Sequence, residues 1–296
     1  MTLEELIKYD DTIEVYRTGS FETLGLNIAS VEKKILSFIE EEKYLKDIKK
    51  SITCIITKRE LVDKVPSGIG IIISANPRIT FFNLHNKLLN NDNYCREKAR
   101  TIIGSNCSIK DSAIISDYNV VIGNNVVIEE NVIIRENVVI GDNTVIRAGV
   151  IIGGEGFECK RNGETTFSVK HLGGVLIGHD VEIQYNSCVD KAVYPWDDTI
   201  VGDYCKIDNF VHLGHACKIG MRTMIAANAV IGGRTVIGND CWIGITATIS
   251  NGLNIGDNVR MNIGSVVTRD VESNNSVTGN FAIEHSRFIE FIKSIR

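Results

Sequence analysis

From Val201 to Val267 an apolar residue returns at every sixth position without interruption: Val201, Ile207, Leu213, Ile219, Ile225, Ile231, Ile237, Ile243, Ile249, Ile255, Met261 and Val267. In a chain that is 44% hydrophobic, such a run in one register arises by chance about once in twenty thousand. Six is neither the helical nor the strand period. A six-residue repeat with many copies opening Ile-Gly or Val-Gly specifies a parallel β-helix built from hexapeptides. Each hexapeptide makes one side of a triangular coil, so about eighteen residues complete a turn.

The repeat begins near Thr101, with Ile103-Gly104 and Ile109, slips by one residue, and then holds at Ile122, Ile128, Ile134, Ile140, Ile146 and Ile152. Burying each isoleucine contributes roughly 1.5–3 kcal/mol, which lets a coil with few aromatics be stable. From Ile152 to Ile177 the separation is 25, one more than a multiple of six, so Gly153 to Gly174 is expected to leave the coil as an external loop. Loops that leave a rigid scaffold are where function tends to sit. Ile177, Ile183 and Val189 restore the register, and Pro195 takes the next anchor within Lys191 to Trp196.

Residues 1–97 lack the period and read as a small α/β domain. The expected elements are helical stretches at Leu3 to Tyr9 and Glu40 to Lys50, a strand at Thr53 to Thr57, a short helix around Arg59 to Asp63, and a strand at Ile69 to Ser74. Asn76-Pro77 breaks that strand, Ile79 to Leu89 has helical spacing, and Asn90-Asn91-Asp92-Asn93 is the candidate linker. The β-helix is assigned to 98–272. A tail at 273–296 follows, in which Ile283, Phe288, Ile289 and Ile292 suggest one short helix made basic by Arg287, Lys293 and Arg296.

A net charge of −5 and a pI near 5.8 give no global attraction to nucleic acid or anionic lipid. Met1 to Lys8 has no secretory signature, and no apolar run approaches the roughly twenty residues of a membrane span, so a cytoplasmic location is expected. None of the eight cysteines forms a CxxC pair, and Cys107, Cys205, Cys217 and Cys241 each fall four residues after an anchor, a second inward position that admits a small side chain. Buried structural thiols, not a zinc site, are the reading.

Positions eighteen apart should stack from coil to coil at about 4.8 Å. On that count His179, Asp197, His215 and Gly233 form an outward column. A carboxylate between imidazoles would orient the ring of a general base, and the glycine would leave room and an accessible N–H. Plain solvation is the competing account of an outward histidine. His212 and His215 also raise a metal reading, but His179 would lie two coils from His215, roughly 9.6 Å, too far to share one ion. His85 and His285 read as structural or merely exposed.

Several segments occur in the order found in the UDP-3-O-acylglucosamine N-acyltransferases of lipid A synthesis, and from roughly Ser30 to Val277 the chain resembles that family. The segments are Leu36-Ser37-Phe38 through Lys43-Tyr44, Ala75-Asn76-Pro77-Arg78, Gly153-Gly154-Glu155-Gly156-Phe157, Val175 to Ile183, Asp197-Asp198-Thr199-Ile200-Val201-Gly202, and Ile207-Asp208-Asn209 leading to Leu213-Gly214-His215. The wider hexapeptide acyltransferase superfamily shares the repeat alone. The resemblance implies a mostly β fold, a left-handed parallel β-helix after a nucleotide-sugar-binding α/β domain, assembled as a homotrimer with active sites in the crevices between subunits. It also implies His215 as general base with Asp208 and Asn209 beside it, and Phe38 with Tyr44 stacking on a nucleotide base. Acyl-CoA or acyl carrier protein would be the cosubstrate, with no permanently bound cofactor and no metal. His212 and His171 are further candidate substrate contacts, and Gly233 and Arg269 candidate contacts for the pantetheine arm.

The chain also departs from that pattern. Leu253 stands where the family has a second histidine after Asn-Gly, Glu41-Glu42 replaces Asn-Pro between Phe38 and Tyr44, and Lys191 to Trp196 carries an apparent two-residue insertion. The terminal helix is short. These differences point to a paralogue acting on another nucleotide-linked amino sugar, with the lipid A substrate as the alternative enzyme reading and a non-catalytic trimeric binding module as the reading of another class.

Overall fold

The computed structural model describes residues 1–29, 31–279, 282 and 284–295. Ser30, Ile283 and Arg296 of the sequence reading lie outside the described residues.

Paired two- to four-residue strands wind into three parallel sheets of nine, eight and eight strands, which are the faces of a left-handed parallel β-helix. Each anchor stacks on the next. Ile109, Ile128, Ile146, Ile183, Ile207, Ile225, Ile243, Met261 and Val277 line up on one face. The corners explain why the chain can turn every six residues. The residue three after most anchors has positive φ, for example Asn125 (57°), Asn131 (58°), Asn143 (58°) and Gly149 (74°). Asparagine and glycine tolerate that left-handed conformation best, and the asparagines then bond from coil to coil, as Asn125 does to Asn143 at 3.1 Å. Cys205, Cys217 and Cys241 are buried in the second inward row, and burial pushes the Cys217 thiol up to about 12 and Cys205 up to about 11. Cys159, by contrast, is exposed.

Two irregularities interrupt the winding. The first is the expected external loop: the coil leaves after Ile151–Gly154, forms an antiparallel hairpin of Cys159–Asn162 with Thr165–Ser168, and returns at Gly174–Ile177. The second corrects the sequence reading. The next coil does not arrive eighteen residues on: Ile177 pairs with Val201, Ile183 with Ile207 and Val189 with Leu213, a separation of 24 in each case. Lys191 to Trp196 is therefore a six-residue excursion, not a two-residue one, and Pro195 sits in a turn instead of at an anchor.

The small domain is a five-stranded sheet in the order Glu14–Arg17, Gly70–Ile73, Ile52–Thr57, Ile35–Ile39, Thr23–Leu24, parallel except for the first. Helix α1 (Pro77–Lys87), which opens on a proline, packs over the strands Ile35–Ile39 and Ile52–Thr57. The sequence reading missed three of these strands, and the expected helices at Leu3 to Tyr9 and Glu40 to Lys50 are only 3₁₀ turns, Glu4–Leu6 and Glu42–Asp47. Phe81, Phe82, Leu84 and Tyr94 share one core with Val169, Val193 and Tyr194, so the external loop and the excursion join the sheet to the coil. Trp196 Nε1 donates to Leu24 O at 2.8 Å across the same junction. Helix α2 (His285–Ser294) ends the described chain with none of its residues buried.

Candidate active site

His215 lies at a corner of the coil and is 9% exposed. Its ring rests on the next coil at Gly233, where a side chain would place Cβ 2.6 Å from His215 Cε1, so only glycine leaves room there. The external loop closes over the other sides. Glu158 Oε2 is 3.4 Å from His215 Nε2, the His171 ring meets the His215 ring edge-on at 5.4 Å, and Gly156 sits where an added Cβ would be 3.0 Å from His215 Nδ1, 2.9 Å from Asp190 Oδ2 and 3.1 Å from His171 Nε2. Asp190 Oδ2 also faces His212 Nε2 at 3.5 Å. Two of these groups, Glu158 and Asp190, were not among the candidates read from the sequence.

The electrostatics follow from burial and charge. Burial works to raise the Glu158 carboxyl, yet His215, Lys160 and Arg234 around it prevail and hold it well below the usual carboxylate range. Lys160 pairs with Glu158 while its ammonium lies 4.3 Å above the Phe82 ring, and Arg234 Nη1 reaches Glu158 at 3.2 Å. Burial raises Asp190, opposed by His212 and His215. Burial, and then the neighbouring His215, lowers His171 to about 3, so this ring stays neutral. Its Nδ1 bonds Val169 O at 3.1 Å, which leaves Nε2 as a buried acceptor with no partner.

The other candidates fall elsewhere. The column through His179, Asp197 and His215 does not exist, because the six-residue excursion moves them to different faces. His179 sits between Asp142, whose N–H donates to its Nδ1 at 3.0 Å, and Asp203, which accepts from its N–H at 2.8 Å. Asp197 pairs with Lys218 at 2.6 Å. Asp208 accepts from Asn209 N at 2.7 Å and Ala227 N at 3.1 Å, and Asn209 Oδ1 accepts from Tyr185 N at 3.1 Å, so both tie coil to coil. Arg269 is exposed near the end of the last coil. Phe38 and Tyr44 line a separate pocket of about 260 Å³ on the small domain with Glu40, Glu41 and Arg78, the Phe38 ring packing 5.0 Å from Phe81. Among the described residues no group of three or more His, Cys, Asp or Glu side chains gathers as a metal site, and no helix is long and apolar enough to cross a membrane.

Buried histidines make stability depend on pH. His85 on α1 is fully buried, bonded to Tyr94 Oη at 2.6 Å and Lys170 O at 2.8 Å, and burial lowers it to about 4. An unfolded histidine titrates near 6.5, so between those values the unfolded chain binds a proton that the native one refuses. The stability that His85 contributes is therefore expected to be fully present above about pH 6.5 and to be lost as pH falls toward 4, with His171 acting in the same direction. His85→Gln is expected to flatten the slope of melting temperature between pH 7 and pH 5. Identical slopes in the two proteins would rule His85 out as a source.

The parallel coil of hexapeptides places the chain in the hexapeptide-repeat class, and the bacterial transferase hexapeptide (six repeats) family matches residues 119–154 and 198–233. The chain is 39% identical over 236 residues to the UDP-3-O-acylglucosamine N-acyltransferase of Helicobacter hepaticus, covering 73% of this chain and 70% of that protein. It belongs to the UDP-3-O-acylglucosamine N-acyltransferase family. A second relative of that name, from Dechloromonas aromatica, is 44% identical over 73 residues, a match that spans 25% of this chain and 20% of that protein. The fold is also that of the UDP-N-acetylglucosamine acyltransferase from Campylobacter jejuni, with a TM-score of 0.55 at 20% identity over 66% of this chain and 79% of that one.

Proposed function

We propose that this protein transfers an acyl group from a thioester to the amine of a nucleotide-linked amino sugar, and that the acceptor is a UDP-linked 3-O-acylglucosamine with acyl carrier protein as donor. One observation carries this reading. The strands of the coil run only from Ile102 to Val277, so the Helicobacter hepaticus match over 73% of the chain must include residues outside the coil. The repeat alone would not require that. His215 would accept the proton of the attacking amine, the Gly233 N–H would steady the oxyanion, and Phe38 with Tyr44 would stack on the base. We take the working unit to be a cytoplasmic homotrimer in which residues 1–97 form the small domain and the coil runs past the expected boundary at 272 to Val277, with His212 and His171 as further acceptor contacts and Arg269 as a contact for the pantetheine arm.

A second reading, a different nucleotide sugar and a shorter acyl group from coenzyme A, is prompted by Glu41, which stands in the wall of the Phe38–Tyr44 pocket and is one of the two residues that replace the Asn-Pro of the family pattern. Purified protein should be assayed with UDP-3-O-acylglucosamine and long-chain acyl carrier protein against dTDP-amino sugars and short acyl-coenzyme A. Consumption of thioester only with the first pair is the expected result. Turnover only with the second installs the other reading, and none with either leaves a binding module.

A further inference from the structure

On the reading that His215 is the base, we propose that Glu158, delivered by the hairpin of the external loop, is the positioning residue that orients its ring. The carboxylates expected in that role are occupied elsewhere, Asp197 by Lys218 and Asp208 by two backbone N–H groups. Glu158 is instead held facing Nε2 by its own ion pairs. Lys160, 7% exposed, neutralises one oxygen, and Arg234 from the adjoining coil neutralises the other. Two cations fix a carboxylate that would otherwise be costly to bury, and its Oε2 stands 3.4 Å from His215 Nε2, a buried nitrogen that has no hydrogen-bond partner of its own at this geometry. The other titratable groups that face the ring are Asp190 from the coil below, which also faces His212, and His171 from the loop, which lies near Lys191 of the excursion.

With Nε2–H donated to Glu158, Nδ1 keeps the lone pair. That nitrogen faces Gly156, which presents no side chain. In the transfer, the amine nitrogen bonds to the thioester carbonyl carbon and its proton passes to Nδ1. The imidazolium so formed shares its charge with Glu158, which stays ionised. When the tetrahedral adduct collapses, the C–S bond breaks and the departing thiolate takes the proton from Nδ1, restoring the starting state.

Glu158→Gln is expected to lower kcat about 10²-fold with little change in KM for either substrate, because it loosens the base without touching the acceptor or donor. The second readout is the free protein's own. Ring ¹⁵N shifts of His215 at pH 8, identified by their loss in His215→Gln, should report a proton fixed on Nε2 in the wild type and shared between both nitrogens in Glu158→Gln. Glu158→Asp keeps the charge and should recover part of the rate and of the tautomer preference, and it carries the same readings if the Gln variant fails to fold. An unmoved tautomer overturns the proposal even if kcat falls, since a merely structural Glu158 would affect the rate through Lys160 and Arg234 alone. If the wild type transfers no acyl group, the reading of His215 as base fails, while the tautomer still decides whether Glu158 orients it.

Discussion

Replacing His215 with Ala is expected to lower kcat by about 10²- to 10⁴-fold, the span typical of a lost general base, while KM changes much less. The neighbouring imidazoles cannot take over. His171, 5.4 Å away, is lowered to about 3 by burial and by His215, too weak a base to deprotonate an amine at neutral pH. His212 is turned toward Asp190 at 3.5 Å. The substitution should not unfold the protein, because the ring lies between the Gly233 backbone and the external loop, outside the stacked isoleucines. Steady-state rates with whichever substrate pair the wild type uses, alongside a melting curve, provide the measurement. A folded variant with an undiminished kcat would remove His215 from the chemistry and shift the proton to the leaving thiolate.

The coil was legible because its repeat couples directly to geometry. Each anchor buries one side chain on one face, so a six-residue count identifies the interior row, and the one-residue slip before Ile122 and the 25-residue gap after Ile152 both show as breaks in phase. The excursion at Lys191 to Trp196 escaped for the same reason. An insertion of six leaves the phase of the apolar pattern unchanged while moving every later strand to the next face, so Val201 pairs with Ile177 instead of stacking eighteen residues from Ile183. The predicted histidine column failed on that point. Glu158 and Asp190 were hidden by topology: the first reaches His215 only because the hairpin folds back over the coil, and the second lies below it only once the excursion is counted. In the small domain, Ile35–Ile39 is buried nearly throughout. A strand in the middle of a parallel sheet has no alternation to announce it. The corners at Tyr204 (62°), Phe210 (56°) and Arg234 (61°) carry positive φ on bulky residues, a conformation their side chains do not predict.

The second large effect lies in the stack itself. Ile207→Ala is expected to cost about 2–5 kcal/mol of unfolding free energy. Ile207 is 1% exposed and packs between Ile183 on one coil and Ile225 on the next. Stacked coils touch only their neighbours, so the cavity cannot be filled by a side chain from elsewhere and the backbone, tied by hydrogen bonds on both sides, cannot collapse into it. The outward neighbour Met224, 48% exposed, gives the contrast: Met224→Ala should cost about 1 kcal/mol or less. Denaturant unfolding of both variants measures the difference. The loss at Ile207 should also reach the active site, because the next residue, Asp208, receives the N–H groups that lock the corner leading to His212 and His215. Activity of Ile207→Ala should therefore fall at temperatures below its own melting transition. Equal stability losses at positions 207 and 224 would mean that the aliphatic rows do not form the packed interior on which the placement of His215 depends.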